Sequence, residues 1–146
     1  MFDTMGLDSL IIDLDAIREI DDDTWNRMLE AGGEIIRKAH EEKIRELFAS
    51  HTGHLAGSPF VHKKRSGNKR YVLIYPKGTH HIYHARRAAG GGAKDAPNQD
   101  VAFVHEFGGH GNYPSQWMRA ANEQHASEAV DAMEAVYDEF LSKHNL

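Results

Sequence analysis

At 146 residues, 40% apolar and 27% charged, the chain has ordinary globular composition and is sized for one domain, residues 1–146. It contains no cysteine, which excludes a disulfide scaffold and thiol chemistry. The net charge of -5 conceals a partition: residues 47–94 hold no acid at all, but carry Lys63, Lys64, Arg65, Lys69, Arg70, Lys77, Arg86, Arg87, Lys94 and six histidines.

The first ten residues, MFDTMGLDSL, lack a basic region and have only short apolar runs. Neither a signal peptide nor a membrane span is expected, and cytoplasmic synthesis is the default. Residues 1–9 read as a flexible arm. From Leu10 to Asp15 the alternation fits either a short strand or a frayed extension. The triplet Asp21-Asp22-Asp23 supplies an N-cap and favourable charge for a helix start. Behind it, Trp25, Met28, Leu29, Gly32, Ile35, Ile36, Ala39, Lys43 and Leu47 follow helical spacing. A long helix is expected from about Thr24 to Phe48. Gly32-Gly33 marks a weak point in it, or a close approach by another backbone.

Gly53 is a suitable stop for that helix. Phe60-Val61-His62 and Tyr71-Val72-Leu73-Ile74-Tyr75 read as strands of a hairpin joined at Arg65-Ser66-Gly67-Asn68. A third strand is expected through Ile82 and Tyr83. The glycine-rich stretch 88–100 reads as a mobile loop. Val101 to Phe107 alternates and runs into glycines, which predicts another strand. Pro114 opens the last helix, with Trp117, Ala121, Met133, Val136, Tyr137, Phe140 and Leu141 on one side. The order gives an α+β fold: a long N-terminal and a C-terminal helix on one face of a small antiparallel sheet of three to five strands.

The string HEFGGH, residues 105–110, begins like the zinc-protease signature H-E-x-x-H. Its histidines are five apart, which on a helix separates them by about 140° instead of about 40°. They cannot share a metal from one helical face. His80 and His84 share a strand face but stand about 13 Å apart, too far for one ion. No nucleophile elbow, phosphate loop or matched carboxylate pair is present, so neither an enzyme nor a cofactor is expected. The basic centre holds Tyr71, Tyr75 and Tyr83, which could stack on bases, although a small core needs the same positions. Neither long helix is basic, which argues against sequence-specific reading of DNA.

Three strings then stand out together: Thr52-Gly53-His54-Leu55 with Ser58, Glu106-Phe107-Gly108, and Tyr113-Pro114-Ser115-Gln116-Trp117-Met118-Arg119-Ala120-Ala121. In that order they resemble the neck or tail-component proteins of long, non-contractile-tailed phages and prophages, a family related to the lambda tail-completion protein Z. There a TG-x-L-x-x-S turn leaves the first helix, EFGT leaves a strand, and P-x-x-P-F-[LM]-R-x-A starts the last helix. The resemblance spans about Asp13 to the C-terminus. Gly109 replaces the usual threonine, Trp117 the usual phenylalanine, and the first proline of the last string is missing.

The resemblance implies a structural subunit of a virion, assembled in the host cytoplasm and placed at the head-tail junction. Its partners would be further copies in a sixfold ring, a connector or stopper, and a tail terminator or tail tube. No membrane partner is expected. Lys63, Lys64, Arg65, Lys69, Arg70, Arg86, Arg87 and Lys94 become candidates for an interface or a DNA-channel lining, with sequence-independent contact to packaged DNA. Thr52, Gly53, Leu55, Glu106, Phe107, Gly108, Pro114, Trp117 and Arg119 become turn and packing residues, with Trp117 and Phe107 fixing the turn into the last helix. The other reading is a small sequence-independent DNA-associated protein unconnected with virions.

Overall fold

The structure, a computed structural model, describes residues 20–48, 53–82, 94–109 and 111–144. Helix α1 runs Asp22–Leu47 and starts as its acidic triplet requires. Asp21 is extended at the N-cap, and its carboxylate accepts the Thr24 N–H at 2.6 Å. The helix ends where the Phe48 N–H donates to the Ile44 carbonyl, before Gly53 is reached. Gly53 instead opens a short helix, α2 (Gly53–Ala56), which carries Leu55 and Ala56 back into the core beside Ile44. The Ser58 N–H and hydroxyl both donate to the Leu55 carbonyl, at 3.1 and 2.6 Å, and close that turn.

Strands β1 (Pro59–Ser66) and β2 (Lys69–Pro76) form the expected antiparallel hairpin, in the register Ser66 opposite Lys69 and Phe60 opposite Tyr75. Gly67, at φ 58, takes the first of the two turn positions, where such tight hairpins need a positive φ. Strands β3 (Thr79–Ile82) and β4 (Lys94–Pro97) make a second antiparallel pair. The architecture is α+β, with helices packed on a two-stranded antiparallel sheet. Among the described residues the strands pair two by two and do not join into one sheet of three to five.

The segment 98–107 corrects the sequence reading. It is a helix, α3 (Asn98–Phe107), and not a strand. Asn98, Ala102 and Glu106 recur every fourth residue and supply its buried face. Asn98 anchors its start: the side chain donates to the Lys77 carbonyl at 2.8 Å and the backbone N–H to the Gly78 carbonyl at 2.9 Å. The described end of the expected loop 88–100 is therefore β4 and the first turn of α3, held against the β2–β3 connection. The expected arm 1–9, Tyr83 and the remainder of that loop lie outside the described residues.

The last helix, α4 (Trp117–Lys143), begins three residues later than Pro114. Residues 114–116 are spent returning to α3: Ser115 and Gln116 donate their N–H groups to the carbonyls of His105 and Glu106, at 2.9 and 3.2 Å. Gln116 stands at the N-cap with φ 52 and offers no side-chain cap. Glu106 supplies it from the other helix. Its buried carboxylate accepts the Met118 N–H at 2.6 Å and the Arg119 N–H at 3.2 Å. A carboxylate at this end also opposes the positive pole of the helix dipole.

Trp117 is fully buried beside Ile44, Leu55, Ala56 and Ala102, and its indole N–H donates to the Ala102 carbonyl at 3.2 Å. His40 meets its ring edge-on and hydrogen-bonds Asn122 at 2.8 Å. At the opposite end of the antiparallel α1–α4 pair, Ile20, Met28 and Phe140 form a second cluster with Trp25, Met133 and Tyr137. Between them the double glycine admits two neighbours. A β-carbon on Gly32 would lie 2.8 Å from Met133 and 3.1 Å from the Ala129 carbonyl of α4. One on Gly33 would lie 2.9 Å from Val61 of the hairpin.

Trp117→Ala is expected to destabilise the fold by about 3–5 kcal/mol, measured by denaturant unfolding, because the ring is enclosed on all sides. A pH effect follows from His40. Burial holds its pKa below the ordinary value, against the opposing pull of the Asn122 hydrogen bond and the Glu106 charge. The unfolded chain then binds the proton more readily, so stability present at neutral pH declines as pH falls below about 6.5. In His40→Gln that part of the decline, followed by thermal melts across pH 5–7.5, is expected to disappear.

Candidate interaction surface on the first hairpin

The hairpin β1–β2 has two chemically different faces because successive side chains alternate. Pro59, Val61, Lys63 and Arg65, with Arg70, Val72, Ile74 and Pro76 opposite, turn toward α1. Phe60, His62, Lys64 and Ser66, with Lys69, Tyr71, Leu73 and Tyr75, turn away.

The basic residues of the inner face are matched by acids of α1. Lys63 pairs with Glu30 at 3.1 Å. Asp22 holds both Arg65, at 3.6 Å, and Arg70, whose guanidinium also lies 6.0 Å from the Trp25 ring centroid. These pairs line a shallow cleft between the hairpin and the first turns of α1, shared with Asn26, Leu29 and Lys64. Being largely exposed, except at Arg70, they contribute little stability each. They do cancel much of the positive field that composition suggests for this segment.

The outer face keeps its charge. Among the described residues Lys64 and Lys69 make no ion pair, and both are exposed. Between and beyond them lie Phe60, Tyr71 and Leu73, exposed at 42%, 41% and 44%. His62 stacks on Tyr75 at 3.7 Å and meets Phe60 at 5.1 Å. The Lys77 ammonium sits 3.5 Å above the Phe60 ring. The tyrosines at 71 and 75 are thus not core residues, as the sequence reading allowed, but part of an aromatic strip edged by lysines. Chemically this face suits a partner that brings both apolar contact and negative charge.

The remaining candidates divide clearly. Lys94 lies in β4 opposite Ile82, away from this hairpin's register. Arg86, Arg87, Thr52, His84 and His110 lie outside the described residues. Leu55, Glu106, Trp117 and the backbone of Arg119 meet around the start of α4, while the Arg119 side chain pairs with Glu123 at 2.8 Å in solvent. Gly108 caps α3 and lies against Pro114, which is itself exposed in the connector and not in a helical turn. Phe107 is a correction: at 72% exposed it packs no core, because in a helix it turns about 100° from Glu106 and about 140° from Ala102, off the buried face. His105 instead places its ring 4.2 Å from Phe48.

Sequence reasoning missed Phe60 and Leu73 as surface residues, although period-two alternation through Lys64 and Tyr71 groups them. Among the described residues no group of three or more His, Asp or Glu side chains is placed to hold a metal ion. No helix there is long and apolar enough to cross a membrane. Comparison with protein-family models, with curated proteins and with solved structures finds no match.

Proposed function

We propose that the chain is a structural subunit of the head-tail junction of a long, non-contractile-tailed phage or prophage. In this reading it is a neck or tail-completion component that forms a sixfold ring around the DNA channel, between a connector or stopper and a tail terminator or tail tube. The observation that supports it most is where the three family-like strings fall. Leu55 from the first packs with Trp117 from the third, some sixty residues on, and Glu106 from the second caps the helix that Trp117 opens. That strings resembling a family's in their order also pack together supports reading them as one structural unit.

The open edges of both two-stranded pairs fit the same role. Each pair leaves outward strands unpaired among the described residues, and such edges are completed by neighbouring chains in assemblies. A sheet of three to five strands is proposed for that assembled state. A second reading, a sequence-independent DNA-associated protein, is favoured by one observation alone: exposed Tyr71 between Lys64 and Lys69.

Electron microscopy of lysates from a phage or prophage lacking this gene tests the first reading. Filled heads and complete tails lying unattached are expected. Intact infectious particles would contradict it, and a salt-sensitive gel shift in that same background would favour the second.

A further inference from the structure

The outer hairpin face has a counterpart on the same molecule that it cannot reach. On α4, Glu123, Ser127, Val130, Asp131, Glu134 and Asp138 are all exposed. At about 100° per residue they fall within an arc of about 100°, directly opposite the side that buries Ala129 and Phe140. Glu123 pairs with Arg119, but among the described residues Asp131, Glu134 and Asp138 make no ion pair. Val130, 48% exposed, lies in the same stripe. An acidic stripe with an apolar spot thus runs along the outside of α4.

Its dimensions match the basic, aromatic strip. Glu123 to Asp138 spans about 22 Å of helix. The hairpin face from Phe60 to Ser66 spans about 20 Å of strand. Within one molecule the two cannot close on each other. The hairpin sits on α1 at Gly33 and α4 sits on α1 at Gly32, and apart from Lys64, which also borders the α1 cleft, both candidate faces turn away from α1. Successive helix positions point roughly 100° apart, so the faces diverge.

We propose that the Lys64–Lys69 face of one copy docks on the Asp131–Asp138 stripe of α4 in the next copy. The contact is heterologous: each molecule offers a basic aromatic face on one side and an acidic face on another. Such contacts propagate head to tail and close into a ring when the rotation permits. Opposite potentials also favour productive encounter and disfavour hairpin-to-hairpin or helix-to-helix pairing. This inference rests on the reading of the chain as an assembling subunit, and names the surfaces by which it assembles.

The test uses sedimentation of the purified full chain with charge-reversal variants, each checked for an unchanged thermal melt. Lys64→Glu with Lys69→Glu, and separately Asp131→Lys with Asp138→Lys, are each expected to weaken self-association by about tenfold or more. An equimolar mixture of the two variants is expected to restore it, since every hairpin then meets an oppositely charged stripe. One chain carrying all four substitutions is expected to associate as well. Wild-type protein that stays monomeric at the highest attainable concentration would overturn the proposal, as would single-pair variants that associate normally or a mixture that fails to recover.

Two outcomes separate this inference from the functional reading. A particle defect with unaltered sedimentation of the hairpin variant removes this interface and leaves the head-tail role standing. Retention of a single-stranded oligonucleotide by wild type, lost in Lys64→Glu/Lys69→Glu while sedimentation is unchanged, overturns the proposal and assigns the face to nucleic acid.

Discussion

The carboxylate of Glu106 governs the arrangement of everything after it. A helix start leaves backbone N–H groups without partners, and burying them unsatisfied is costly. At the start of α4 the residue in the cap position, Gln116, supplies no side-chain oxygen. Glu106 reaches across from α3 to the amides of Met118 and Arg119, while Ser115 and Gln116 return their own N–H groups to the last carbonyls of α3. Each helix end completes the other. The exchange fixes the position of Trp117, the next residue in the chain, against Ile44, Leu55 and Ala102.

Trp117 holds one end of α4 against α1, and the contact of Phe140 with Met28 and Ile20 holds its far end. Helix α1 becomes the spine. It receives α4 at Gly32 and the hairpin at Gly33, and its acids neutralise the hairpin's inner cations. What remains outward is an aromatic strip with Lys64 and Lys69 on one side and a carboxylate stripe on another. The dipolar surface is thus a consequence of packing, since the same hairpin without α1 would present cations on both faces.

Much of this was readable from residue order. Asp21 announces the start of α1, the 3.6-residue spacing carries it to Leu47, and Gly67-Asn68 places the hairpin turn. The helix α3 was not readable by alternation, for a physical reason. Asn98, Ala102 and Glu106 are spaced by four, a separation that keeps residues on one face of a strand as well as a helix. Choosing the strand placed Phe107 in the core and hid the capping role of Glu106. Pro97 before the segment and Gly108 after it were the signals for a helix. The division of the basic centre was legible in principle, because Lys63 and Arg65 alternate with Lys64; that α1 would lie on one side was not, since ion pairing with Asp22 and Glu30 is a property of the packed chain.

The most direct test of this account is amide hydrogen exchange at Met118 and Arg119, comparing wild type with Glu106→Ala. If the cross-helix cap organises the joint, both amides exchange slowly in the wild type and lose protection in the variant, while the middle of α1 keeps its own. Equal protection of the two amides in both proteins would show that α4 is positioned by something other than Glu106, and the dependence of the α4 face on that joint would be wrong.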